Sequence, residues 1–449
     1  MKLLWPALTL LFAAAAWFTI QATLGEAHAA RRLVSQEQAR HLGLERAWFA
    51  QVRLDRARNR VERAVLTGDR LTVLTSAGVV HEFNAHTGET LWIASIGNPS
   101  YPSLGPAANE QFVALINGST LYVLDRVDGR PVVVRPAGGA PGAAPGLTRE
   151  HVLVPLVNGR VEGYSLGEPK ITPWYYQSFG RAMVPPLATP ESVVWATDSG
   201  HAYIAGLDPL GLRFRLETGS EIVAQPAYRK PYVYLATITG EVFAMHELTG
   251  ARRWKYTTGY PIVRAPAAVA ERVFVTSQEP SLHCVDATNG NSLWEAPNVT
   301  QFAAMSRNRV YGVDELGALV VLDATTGALL GRMPSDGMTN ALVNDQTDRL
   351  YLITQEGAVQ CLHELDADQP LYHSPPEAPP GAAEETAAGE TTPPGPAAEA
   401  PPATETPPPP VDQEDPFGEV DVEEAADEAE MAEDPGEFGV DDENPFGDF

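Results

Sequence analysis

Cysteine is nearly missing from this sequence: 449 residues contain two, Cys284 and Cys361. A disulfide-stapled scaffold and a thiolate metal cluster are therefore excluded. Lysine and arginine are absent from residue 374 onward, where 23 Asp and Glu fall. The remainder carries 35 acids against 31 bases, so most of the net charge of −27 belongs to the last stretch. The body is near neutral and the last stretch a polyanion, so nucleic-acid binding is not expected. No H-E-x-x-H helix and no G-x-S-x-G elbow occurs, and the ten histidines are scattered without metal-ligand spacing.

What is present begins with an export signal. Lys2 precedes an uncharged apolar run from Leu3 to Ile20, and Ala27-His28-Ala29 supplies a small-x-small cleavage pattern. Residues 1–29 are expected to be removed, giving an exported chain of the periplasm or envelope. The alternative is an uncleaved anchor, since about 18 apolar residues nearly span a bilayer. Membrane contact is expected only in that case. No cysteine lies near the cleavage point, so no lipid is expected there. Ser35-Gln36-Glu37-Gln38 has capping-box spacing, which predicts a short helix over about 36–44 inside a lead-in of residues 30–45.

The body repeats a phrase of strand, D/H-x-x-T-G turn, then a strand that often begins with Trp. It occurs as Asn84–Gly88 before Trp92, Asp125–Gly129, His246–Gly250 before Trp254, Asp286–Gly290 before Trp294, and Asp323–Gly327. Degenerate copies stand at Ser165–Glu168, Gly206–Gly211 and Glu364–Asp368. The eight copies recur about every 40 residues, and each spacing holds four short strands, the make-up of a propeller blade. The phrase reads as a hairpin: Asp or His with Thr caps a tight turn, and Gly takes the positive φ that closes it. Proline-rich and alanine-rich lead-ins around Pro106, Pro145, Pro186, Pro226 and Pro266 precede the strands.

This phrase resembles the tryptophan-docking motif of the PQQ-like β-propeller repeat family, shared by quinoprotein dehydrogenases and BamB. The resemblance implies an all-β, eight-bladed propeller over residues 46–373, with Trp92, Trp254 and Trp294 packed against neighbouring blades. Trp48–Leu54 reads as an outer strand without its own blade, so it is expected to close the ring beside Val359–His363. Cys284 and Cys361 fall at equivalent places two blades apart. A quarter turn of the ring separates them beyond the about 7 Å Cα limit for a disulfide.

Quinoprotein dehydrogenases hold their cofactor with adjacent cysteines, a calcium ion on acidic side chains and an Asp base. The sequence offers no adjacent cysteines. Aligned blade starts bring Glu62, Arg63, Gln225, Arg264 and Gln301 to one channel mouth as candidate binding residues, with one carboxylate among them. One Glu cannot form a calcium shell of six to eight oxygens. No cofactor, no metal and no catalytic residue is expected, and the chain reads as a monomeric protein-binding scaffold. A quinone-dependent dehydrogenase or a small-ligand binder using the channel is the alternative.

Residues 374–449 are Pro, Ala, Glu and Thr-rich and then acidic, a composition that predicts disorder. Asp415-Pro416-Phe417-Gly418 and Asn444-Pro445-Phe446-Gly447 are near copies, with Phe438 and Phe449 spaced about them. Acidic sequence with spaced aromatic anchors suits a linear-motif ligand for an envelope protein bearing a basic-rimmed apolar pocket. The alternative is a solubilising extension.

Overall fold

The computed structural model describes residues 34–334 and 339–373. The signal segment 1–29, the first residues of the lead-in, and the tail with Phe417, Phe438, Phe446 and Phe449 lie outside the described residues. Among the described residues, thirty-two strands, β1 to β32 in chain order, form eight antiparallel four-stranded sheets. Blades one to seven span residues 61–95, 103–136, 146–177, 187–217, 227–257, 267–297 and 299–333. Blade eight takes three strands from residues 339–364 and its outermost strand from β1 (Leu44–Gln51). β1 pairs antiparallel with β32 (Ala358–Glu364), Gln51 opposite Ala358 and Leu44 opposite Glu364. The ring of eight is therefore closed by the N-terminal strand.

Burial follows strand position. Middle strands such as Phe112–Asn117 and Ser192–Ala196 are covered on both faces by neighbouring blades, and they read as continuous apolar runs. Outer strands such as Thr90–Ser95 and Arg252–Thr257 keep one buried aromatic between exposed neighbours.

The repeated turn works twice. In the copy at Asp323, the carboxylate accepts from the N–H groups of Thr325 and Thr326 at 3.0 and 2.8 Å, and Gly327 sits at φ 71°. The Trp294 indole of the preceding blade lies on that glycine, where a Cβ would stand 2.6 Å from the ring. Its N–H donates to the Ala324 carbonyl at 2.9 Å. Glycine is thus required by the turn and again by the ring pressed onto it. Trp92 docks in the same way against Gly129 and the Arg126 carbonyl, and Trp254 against Gly290 and the Ala287 carbonyl.

Two further slots were not assigned from the sequence. Trp48 on β1 lies against Gly88 and donates to the Ala85 carbonyl at 2.9 Å, so the closing strand docks like any other. Phe214 covers Gly250, and blade four therefore uses a phenyl ring where others use indole. A register shift just before the docking residue recurs in these strands, with Arg213 skipped ahead of Phe214 and Leu91 ahead of Trp92. In blade seven the corresponding strand carries Gly331, and Leu42 packs onto it.

Leu42 comes from the end of the single described helix, α1 (Gln36–His41). The capping box is present, with Ser35 and Gln38 exchanging hydrogen bonds between side chain and backbone. The helix stops at His41, short of the predicted residue 44, because Gly43 turns at φ 71° and β1 begins at Leu44. The Arg309 guanidinium holds this corner by donating to the Leu42 carbonyl at 2.8 Å.

Cys284 and Cys361 are free and buried, on blades six and eight. Burial pushes both thiols up to about 12. We expect neither to react with a water-soluble disulfide reagent in the native protein, and both to react at once on unfolding in guanidinium. Rapid titration of either thiol without denaturant would contradict this burial.

Candidate functional site

The innermost strands surround a central channel with a cavity volume of about 670 Å³. Pro106, Pro145, Pro186, Pro226 and Pro266 all line it. The inner edge of each blade faces this space without a pairing partner, and proline there removes a donor that no strand would satisfy.

Four of the five sequence-assigned residues stand in the wall: Glu62, Arg63, Gln225 and Gln301. Arg264 lies beside them, its guanidinium 3.5 Å from the Gln301 amide oxygen. Gln301 is fixed from its other side, donating to the Ala341 carbonyl at 2.6 Å. Glu62 and Arg63 are neighbours in the chain, and a bulge in β2 (Val61–Thr67) falls between them: Val61 pairs with Thr75 and Arg63 with Leu74, leaving Glu62 unpaired. The Glu62 carboxylate stands 3.4 Å from Arg60. Arg63 has no carboxylate within ion-pair reach among the described residues, and desolvation by the surrounding wall lowers its pKa.

Sequence reasoning missed Asp345, the second carboxylate of the wall. It is exposed to the channel space, where desolvation by the surrounding wall pushes its carboxyl up, with Arg229 pulling the other way. Its neighbour Gln346 ties blade eight to blade one, accepting from Gly68 N–H at 2.9 Å and donating to the Leu66 carbonyl at 2.8 Å. Asp345 therefore belongs to the end of β2 away from Glu62. The strand between Glu62 and Gly68 is about 20 Å long. At this far end the chain reaches inward: His373 N–H donates to the Gln346 carbonyl at 2.9 Å, and Arg229 of blade five donates to the His373 carbonyl at 3.4 Å.

These residues do not fit a quinone with its calcium. The two wall carboxylates stand at opposite ends, too far apart to share a cation. Among the described residues no group of three or more His, Cys, Asp or Glu could hold a metal. The cysteines are buried in separate blades.

The surface around the mouth is apolar in part. Phe179, Met183, Tyr260 and Val263, on the loops that lead into blades four and six, are exposed. No described helix is long and apolar enough to cross a membrane.

Overlapping stretches of this chain, residues 47–166, 76–207 and 187–369, match the family model described as outer membrane protein assembly factor BamB. The chain belongs to the BamB family. A BamB of Burkholderia pseudomallei is 26% identical over 272 residues, which is 60% of this chain and 64% of that protein. The aligned part thus spans less than two thirds of the curated relative. Among solved structures, BamB from Moraxella catarrhalis superposes with a TM-score of 0.58 at 17% identity, covering 71% of this chain and 99% of its own. Quinohemoprotein alcohol dehydrogenase from Comamonas testosteroni reaches 0.53 at 13% identity, covering 74% and 78%. At such identities both show the shared propeller alone.

Proposed function

We propose that this BamB-family chain is a non-catalytic scaffold of the cell envelope that serves outer membrane protein assembly. The observation that carries the reading is the family match over residues 47–369. The channel wall supports it, since its charged groups are spread along the strand length instead of converging on one reacting centre. In this reading the chain is exported to the periplasm, the propeller over residues 46–373 is the rigid platform, and assembly proteins dock on it. The tail of residues 374–449 adds a linear-motif ligand, with Phe417, Phe438, Phe446 and Phe449 entering an apolar pocket rimmed by Lys or Arg.

Affinity capture of envelope extract on the full chain tests the reading. Retention of outer-membrane assembly proteins is expected, falling as salt screens the acidic tail beyond about 8 Å. Replacing the four Phe by Ala should weaken capture without moving the melting temperature; capture unchanged by that substitution would leave the tail a solubilising extension. Stoichiometric quinone binding with calcium-dependent, dye-linked alcohol oxidation would overturn the scaffold reading.

A further inference from the structure

The loop from β1 to β2 and the start of β2 carry Arg53, Arg56, Arg58, Arg60 and Arg63 within eleven residues, against Asp55 and Glu62. The loop's course is dictated by ring closure. β1 is the outermost strand of blade eight and β2 lies in the channel wall, so this loop crosses from the rim of the ring to its channel. The arginines therefore form a path that starts on the surface and ends inside the mouth.

Few of these charges are spent within the chain. Arg58 lies 3.9 Å from Asp55, a pair open to water, and Arg60 lies 3.4 Å from Glu62. Arg53, Arg56 and Arg63 have no carboxylate within ion-pair reach among the described residues, and Arg53 and Arg56 are exposed. Arg63 stands exposed in the channel wall, beside Ala and Pro residues that offer it no counter-charge. Arg264 and the Gln225 amide add further donors at the same mouth.

We propose that this mouth is a docking site for an acidic peptide segment of a partner protein, with one carboxylate received by Arg63 inside the channel and others by Arg53 and Arg56 outside. A line of cations running from surface to cavity fits an extended polyanion better than one small ion. The guanidinium fork binds carboxylate bidentately. The Ala and Pro wall beside Arg63 suits the apolar parts of a peptide. The proposal rests on the protein-binding reading above and names a face and a chemistry for it.

The test uses the full chain and a fluorescein-labelled peptide of alternating Glu and Ala, followed by polarisation. Binding is expected, weakening as ionic strength rises toward about 0.15 M. Arg63→Gln should weaken it about tenfold, the size of one charge-assisted contact, and R53Q/R56Q by a similar factor. R252Q/R307Q, exposed arginines away from the mouth, should leave it unchanged. Equal binding by all variants overturns the proposal. So does tighter Arg63-dependent binding of a single-stranded oligonucleotide or of anionic lipid vesicles, or Arg63-dependent self-association in sedimentation, which would make a second copy the occupant. Loss of the peptide with envelope capture retained defeats this proposal alone. Peptide binding with dehydrogenase turnover defeats the scaffold reading and spares the site.

Discussion

Trp294→Ala is expected to destabilise the protein by about 3–5 kcal/mol, read as a lower midpoint in urea unfolding. The indole is 7% exposed and packs among Phe274, Phe302, Leu322 and Ala324 where blades six and seven meet. Its removal leaves a cavity between two sheets that are each held by their own hydrogen bonds and cannot collapse onto it. The Ala324 carbonyl also loses its donor. Trp294→Phe should cost less, because Phe214 already occupies the equivalent slot over Gly250. Gly327→Ala should cost heavily from the other side, since the added methyl meets the ring and an L residue is strained at φ 71°. If Trp294→Ala unfolds at the parent midpoint, the indole is not a blade contact.

Arg126→Ala is expected to cost a comparable amount, about 3–5 kcal/mol, for a different reason. Arg126 takes the turn position that is Ala85, Ala287 or Ala324 in other blades. Its guanidinium reaches back to Glu82 of blade one, Nε to Oε1 at 2.9 Å, with side chains 2% and 0% exposed. It also donates to the carbonyls of Asn109 and Thr67, and Glu82 accepts from Thr72 at 2.6 Å. Burial pulls the Arg126 pKa down and the Glu82 charge opposes that pull. Truncating the arginine strands a carboxylate at a dry interface. Removing both charges in Arg126→Met with Glu82→Leu should recover most of the loss, because the pair's attraction mainly offsets its own desolvation. Arg126→Lys should not rescue, since a single ammonium nitrogen cannot stand where Nε, Nη1 and Nη2 separately reach Glu82, Asn109 and Thr67. Full stability in Arg126→Ala would mean that Glu82 finds water.

The features legible beforehand were those with a narrow physical solution. A turn that needs a capping side chain, a positive φ and room for an indole leaves few choices, so Asp323–Gly327 and Trp294 announce themselves. The closing strand was visible because Trp48–Leu54 has the outer-strand pattern and no blade of its own. Slots that accept any apolar group of suitable shape were hidden. Phe214 and Leu42 fill theirs without a distinguishing phrase, and Leu42 does so from the cap of a helix rather than a strand. The Glu82–Arg126 pair was hidden because it depends on two blades meeting. At the channel, Glu62, Arg63, Gln225 and Gln301 could be placed by aligning blade starts. Asp345 could not, because blade eight has a degenerate turn and its inner strand, Thr339–Ala341, precedes an irregular stretch.

Ring closure by β1 also governs the order in which the molecule can be made. Gln51 hydrogen-bonds to the Glu356 carbonyl 305 residues downstream. Joining ends so distant carries a loop-closure cost of about 5 kcal/mol from the logarithmic term alone, and contacts of such long range slow folding. During synthesis, blades one to seven can form in turn, while β1 waits with an unpaired edge for β32 to emerge. Until that moment the open arc presents an apolar blade face at each of its ends, and β1 keeps an unpaired edge, both surfaces prone to association with another chain. A chain of this design therefore benefits from a companion that shields the waiting strand, and a protein truncated before residue 358 should aggregate rather than persist as a shorter ring.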